Sequence, residues 1–184
     1  ARATSLDRKW LPGDAAAVPR LEGGRPRRRL IFINRYFRPD LSATSQLLTD
    51  LVGRLSGDNY EIHVLCSRQL YADAQASLPR LERTGGATVH RCWSTRNGRG
   101  GLAGRAIDYL TFTLTAAAKL LTLARADDIV VVLTDPPMMS VPAGLVTCLT
   151  GARLVNWLQD VFPEVATALD AMPLPRSLQG LLRR

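Results

Sequence analysis

A chain of 184 residues, 46% apolar and 22% charged, is large enough for one globular domain with a buried core and does not have the composition of a disordered chain. Its net charge of +8 is unevenly spread: residues 1–29 hold eight Lys or Arg against three acids, and the remainder is nearly balanced. No basic cluster falls on a recognisable reading element, so nucleic acid is not the expected partner.

Residues 1–29 are rich in Ala, Pro, Gly and Arg without periodicity and read as a disordered basic tail with no apolar leader. Leu30 to Asn34 (LIFIN) is a continuous apolar run, as expected of a strand covered on both faces. After a loop containing Pro39, Ser42 is a good N-cap. Thr44 to Leu55 then reads as a helix closed by Gly57. Tyr60 to Cys66 and Ala87 to Trp93 read as the second and third strands, and the polar segment between them as loop with a short helix.

A glycine-rich stretch, Asn97 to Gly104, leads into a long helix over about 103–124. Its expected core stripe is Ala103, Ile107, Leu110, Leu114, Ala117, Leu121 and Ala124, in alternating steps of four and three. Asp128 to Leu133 is a fourth strand, followed by the turn TDPP and a helix over about 138–150 closed by Gly151. Arg153 to Leu158 is a fifth strand, and the remainder reads as loop with short helices. Residues 126–152, the longest stretch free of Lys and Arg, are broken by acids and prolines and fail as a membrane span. Strands alternating with helices predict an α/β, Rossmann-like, mostly parallel sheet with helices on both faces, over residues 30–171.

Ligands of such sheets bind outside the carboxyl ends of the strands. The first of those loops, Asn34 to Gln46, lacks both GxGxxG and GxxxxGK but carries small hydroxylated residues at a helix start. Such a helix start suits an oxyanion, or merely a capping serine. Thr134-Asp135-Pro136-Pro137 holds one acid in a rigid turn. The last loop, Asn156 to Glu164, places an amide and two carboxylates past a strand end, able to orient a hydroxyl, act as a base or cap the next helix. His63 and His90 read as core or sheet-face residues. Cys66, Cys92 and Cys148, odd in number and set in apolar stretches, read as buried free thiols rather than a disulfide or zinc framework.

Together YFRPDLSATSQLL, TDPP and NWLQDVFPE, in this order at three strand ends, resemble glycosyltransferase family 4, of the bacterial type that builds capsule, O-antigen and colanic acid. The similarity covers about residues 29–171. It implies the N-terminal, acceptor-binding domain of a GT-B fold and a hexosyltransferase-type activity that moves a sugar from a nucleotide sugar to a polysaccharide or lipid-linked acceptor. Ser42, Ala43 and Thr44 would be the donor-facing loop. Gln159 and Asp160 would be the catalytic pair, and Tyr36, Asp135 and Glu164, with Gln159 and Asp160, acceptor or inter-domain contacts. No cofactor or metal is implied.

Three departures stand out. The E-x7-E region with which relatives hold the donor is not present. Leu41-Ser42-Ala43-Thr44 replaces a Gly-Gly pair, and Gln159 stands where many relatives carry a His. The donor is therefore expected to bind through a missing or separate C-terminal domain beyond a linker at 172–184, and the chain alone is expected to lack transferase activity. The alternatives are a non-catalytic, membrane-recruiting subunit of a split glycosyltransferase, a decayed fragment, or a phosphate-sensing flavodoxin-like regulator. The last would need an acidic cluster at the strand ends.

A cytoplasmic protein bound peripherally to the inner membrane surface is expected. The run Arg91, Trp93, Arg96, Arg99 and Arg105, interleaved with glycines, would meet the lipid, each Arg contributing about 1 kcal/mol at an anionic surface. Tyr36, Phe37, Met138, Trp157, Val161 and Phe162 are expected to be partly open at the strand ends and to promote association.

Overall fold

The computed structural model describes residues 28–56, 58, 60–98 and 101–159. In chain order the elements are β1 (Arg28–Ile33), α1 (Ala43–Leu55), β2 (Tyr60–Ser67), β3 (Leu81–Thr84), β4 (Ala87–Cys92), α2 (Gly101–Leu123), β5 (Ile129–Leu133), α3 (Ser140–Thr150) and β6 (Arg153–Trp157). The strands form one sheet in the order β3-β4-β2-β1-β5-β6, parallel throughout except for β3. The expected α/β, Rossmann-like architecture is what the chain adopts.

Alternation along the strands feeds two cores. Leu30 and Phe32 of β1 pack with Leu48 and Val52 of α1 and with Ile62, Val64 and Val89 of the sheet. Ile31 and Ile33 face the other way, against Phe112, Ala116 and Leu120 of α2 and Ala143 and Val146 of α3. Among the described residues helices thus cover both faces, one on the first and two on the second. Each fully buried Leu, Ile or Phe in these cores contributes roughly 1.5–3 kcal/mol.

Several expectations are corrected. Arg28 and Arg29 belong to β1 rather than to a tail, paired with Tyr60 and Glu61. Arg29 is held by Asp128 at 2.8 Å and donates to the Leu123 carbonyl at the end of α2. The segment between β2 and β4 contains a strand, β3, which closes an antiparallel hairpin through Gly85 and Gly86. Both glycines have positive φ, 60° and 80°, the backbone a tight two-residue hairpin requires. Cys66 and Cys92 are buried, and burial pushes both thiols up to about 12, whereas Cys148 is exposed.

The long helix is turned the other way. Its buried face is Gly104, Asp108, Phe112, Ala116 and Leu120, and the expected stripe of Ile107, Leu110, Leu114 and Leu121 faces outward. Two features select the observed face. Asp108 accepts hydrogen bonds from the Thr95 hydroxyl at 2.6 Å and the Asn97 amide at 2.9 Å, so its carboxylate is satisfied in the interior. Gly104 lets the helix approach the Asn97 carbonyl so closely that a Cβ would collide with it. At the strand ends Tyr36 and Phe37 are buried rather than open, while Met138 is exposed; Val161 and Phe162 lie outside the described residues.

Gly104→Ala decides between two effects of opposite sign. Helix propensity favours Ala by about 1 kcal/mol, but overpacking against backbone costs about 1–3 kcal/mol. Because the obstacle is a carbonyl rather than a flexible side-chain end, thermal melting is expected to show a net loss of stability.

Candidate functional site

The chain leaves β1 for β2 in one direction along the sheet and later returns through α2 to β5 on the other side of β1. The connections therefore diverge between the carboxyl ends of β1 and β5, the switch point at which open α/β sheets bind ligands. A cleft of about 460 Å³ opens there, lined by Tyr36, Ser42, Ala43, Thr44, Tyr71, Tyr109, Thr134, Asp135 and Pro137.

Its floor is built by short backbone links. The Arg35 amide donates to the Asp135 carbonyl at 2.7 Å, joining the loop after β1 to the loop after β5. The Asn34 side-chain amide donates to the Tyr36 carbonyl at 2.7 Å and to the Thr44 hydroxyl at 3.4 Å, tying the same loop to α1. Asp40 braces the turn into the helix by accepting from the amides of Ser42 and Tyr71.

Ser42 stands at the N-cap of α1 in extended conformation, but its hydroxyl makes no cap bond and is buried without a partner among the described residues. The first-turn amides of a helix have no intrahelical acceptor, so this corner of the cleft combines free donors with the positive end of the helix dipole.

Among the described residues three charged groups lie at or beneath the cleft: Arg35, Asp135 and the buried Asp40. Arg35 is buried, its guanidinium carbon 4.6 Å from the Tyr109 ring centroid and 5.2 Å from that of Tyr36. These contacts supply the cation–π attraction expected of a desolvated Arg, although its Nε is left without a partner among the described residues. Burial pushes the Asp135 carboxyl up to about 6. Arg35 opposes that rise and Asp40 adds to it. Tyr36, raised to about 12 mainly by burial, keeps its phenolic proton and meets the Tyr71 ring edge-on at 5.7 Å.

Five of the residues expected from sequence, Tyr36, Ser42, Ala43, Thr44 and Asp135, meet in this cleft. Gln159 is described but does not line it; its amide atoms are buried without partners among the described residues. Asp160, Glu164 and Arg99 lie outside the described residues. Of the residues expected at a membrane, Trp93 and Arg105 are exposed and Arg96 reaches the Gln75 carbonyl. Arg91 is not available: it is buried against Glu82 at 3.0 Å and the Arg38 carbonyl at 2.7 Å.

Sequence reasoning misses Arg35, Tyr71 and Tyr109. Tyr71 is within its reach, since that residue follows the carboxyl end of β2. Tyr109 sits inside a helix, and no local pattern distinguishes it.

A second polar cluster lies under α2, where His63 and His90 face each other at 3.2 Å and Glu61 meets His63 at 2.9 Å. Burial lowers both imidazoles, that of His90 to about 4, as expected of sheet-face histidines held neutral. Among the described residues no group of three or more His, Cys, Asp or Glu could hold a metal ion. A scan against protein-family models finds no match to the chain, and a search of curated proteins finds none.

The raised carboxyl of Asp135 makes stability depend on pH. The native state binds more protons than the unfolded chain between the ordinary value of 3.8 and about 6, so stability falls as pH rises through that window. Asp135→Asn removes the effect. The variant should match the parent near the lower bound and exceed it by about 2–3 kcal/mol above the upper one. Melting temperatures across the window check this, and a difference independent of pH would refute it.

Proposed function

We propose that the chain is the acceptor-binding, Rossmann-like domain of a glycosyltransferase resembling family 4, of hexosyltransferase type. The observation that carries this reading is the convergence of three tyrosine rings, one raised carboxyl and a helix N-terminus in a single switch-point cleft. Two of the three motifs behind the resemblance, the loop after β1 and the TDPP turn, contribute its walls.

Each group matches a need of glycosyl transfer. Tyrosine rings offer flat apolar faces and hydroxyl donors to a pyranose, whose own faces are apolar and edges polar. In the reaction the acceptor hydroxyl oxygen bonds to the anomeric carbon while the bond to the nucleoside diphosphate breaks. Asp135, with a carboxyl near 6, is poised to take the proton released from that hydroxyl. Arg35 and the first turn of α1 supply positive potential for the departing diphosphate. We take Asp135 as the base because it lines the cleft beside the tyrosine rings.

Isothermal titration of the chain with a panel of oligosaccharides and nucleoside diphosphates tests the reading. Saturable saccharide binding is expected, weakened roughly fivefold by Tyr109→Ala, in keeping with about 1 kcal/mol lost from one aromatic contact. A folded chain that binds no saccharide in the panel would overturn it.

A further inference from the structure

We propose that the outward face of α2 and α3 is a docking surface for an anionic lipid bilayer, on which the protein lies with α2 parallel to the membrane plane. The two helices pack side by side over one face of the sheet, sharing a core through Phe112, Ala116, Leu120, Ala143 and Val146. Their opposite sides are apolar as well. Ile107, Leu110, Leu114 and Leu121 project from α2, and Val141, Leu145 and Leu149 from α3, with Leu114 61%, Leu145 66% and Leu149 77% exposed. Seven exposed large aliphatics on two helices packed side by side are more than the scattered single residues of ordinary surface and mark an interaction site.

Charge selects the occupant. The α3 sequence SVPAGLVTCLT carries no charge. Residues 101–126 carry three exposed cations, Arg105, Lys119 and Arg125, and their one acid, Asp108, is buried. Asp127, just beyond, faces Arg153 at 3.9 Å. Beside α2 a cleft of about 550 Å³ adds Arg68 and Arg80 to Lys119, with Trp93 57% exposed in its lining.

An apolar face with a cationic rim and a Trp at its edge has the chemistry of an interfacial helix pair on anionic headgroups. A second copy would bring the same cations against these, which costs energy rather than gaining it. By length and composition α2 is also apolar enough to cross a membrane. Its inner side, however, is committed to the sheet, with Asp108 fixed by Thr95 and Asn97, so it lies along the bilayer rather than through it. The surface shares Trp93 and Arg105 with the Arg-rich run expected from sequence but is centred on the helix faces, and Arg91 of that run is internal.

The inference shares with the proposed function only the idea of a membrane-borne acceptor. Its test involves no sugar, so either reading can fail alone. The 184-residue chain is sedimented with vesicles of phosphatidylglycerol and phosphatidylethanolamine, or of phosphatidylcholine, at low and raised salt. Binding is expected to the anionic vesicles and to weaken with salt. Leu110→Glu/Leu114→Glu and Leu145→Glu alter exposed positions, so circular dichroism should show an unchanged fold, while partitioning drops roughly tenfold or more. Lys119→Glu should reduce the preference for anionic over neutral lipid. Failure of the parent chain to bind, or equal binding by the folded Glu variants, would overturn the proposal. So would a parent dimer that the Glu variants dissociate without any vesicle binding, because it would assign the face to a second copy.

Discussion

The fold depends on β1 being paired in parallel on both edges, to β2 on one side and β5 on the other. A strand so placed has no solvated edge and no solvated face, so its side chains must be apolar on both sides, as in LIFI. The same pairing brings the ends of β1 and β5 together while sending their connections apart. That is what opens a cleft instead of a continuous surface. Arg29 anchors the lower end of β1 to Asp128 and α2, and the Arg35–Asp135 backbone bond anchors the upper end.

At that upper end the molecule accepts an electrostatic cost. Arg35 is desolvated with aromatic faces for company, and Asp135 is held in surroundings that disfavour its charge. Ionisable groups held in surroundings that disfavour their charge cluster where chemistry is done. Elsewhere interior charge meets directed partners: Asp108 the Thr95 hydroxyl and Asn97 amide, Asp128 the Arg29 guanidinium and Arg125 amide, Arg91 the Glu82 carboxylate and Arg38 carbonyl. Among the described residues Arg35 and Asp135 make no side-chain hydrogen bond or ion pair, although Arg35 lies close enough to oppose the rise of Asp135, and this contrast with the paired charges elsewhere is the physical mark of the site.

Helix α2 shows the opposite pattern. It presents apolar residues on two sides, and only one side meets the sheet. The inner side includes the small residues Gly104 and Ala116, because close approach to strands and loop leaves little room. Large aliphatics are left outside, on the side turned away from the sheet.

Local pattern in the chain suffices for the order and type of most elements, for the parallel character of the sheet, and for which loops frame the cleft. Each of these follows from residue period, turn chemistry and the rule that parallel strands carry their ligand loops at one end. Loop residues Tyr36, Ser42, Thr44 and Asp135 are legible for that reason. Which side of α2 is core is settled only by packing, since two apolar stripes satisfy the same helical period and the fit of Gly104 and Asp108 against the loop at Asn97 separates them. Packing also brings Tyr109 over Arg35 from a helix more than seventy residues away, a meeting set by how α2 crosses the sheet. It turns Arg28 and Arg29 from apparent tail into strand, because their partners, Tyr60, Glu61 and Asp128, are remote in sequence and adjacent only once β1 is paired on both edges.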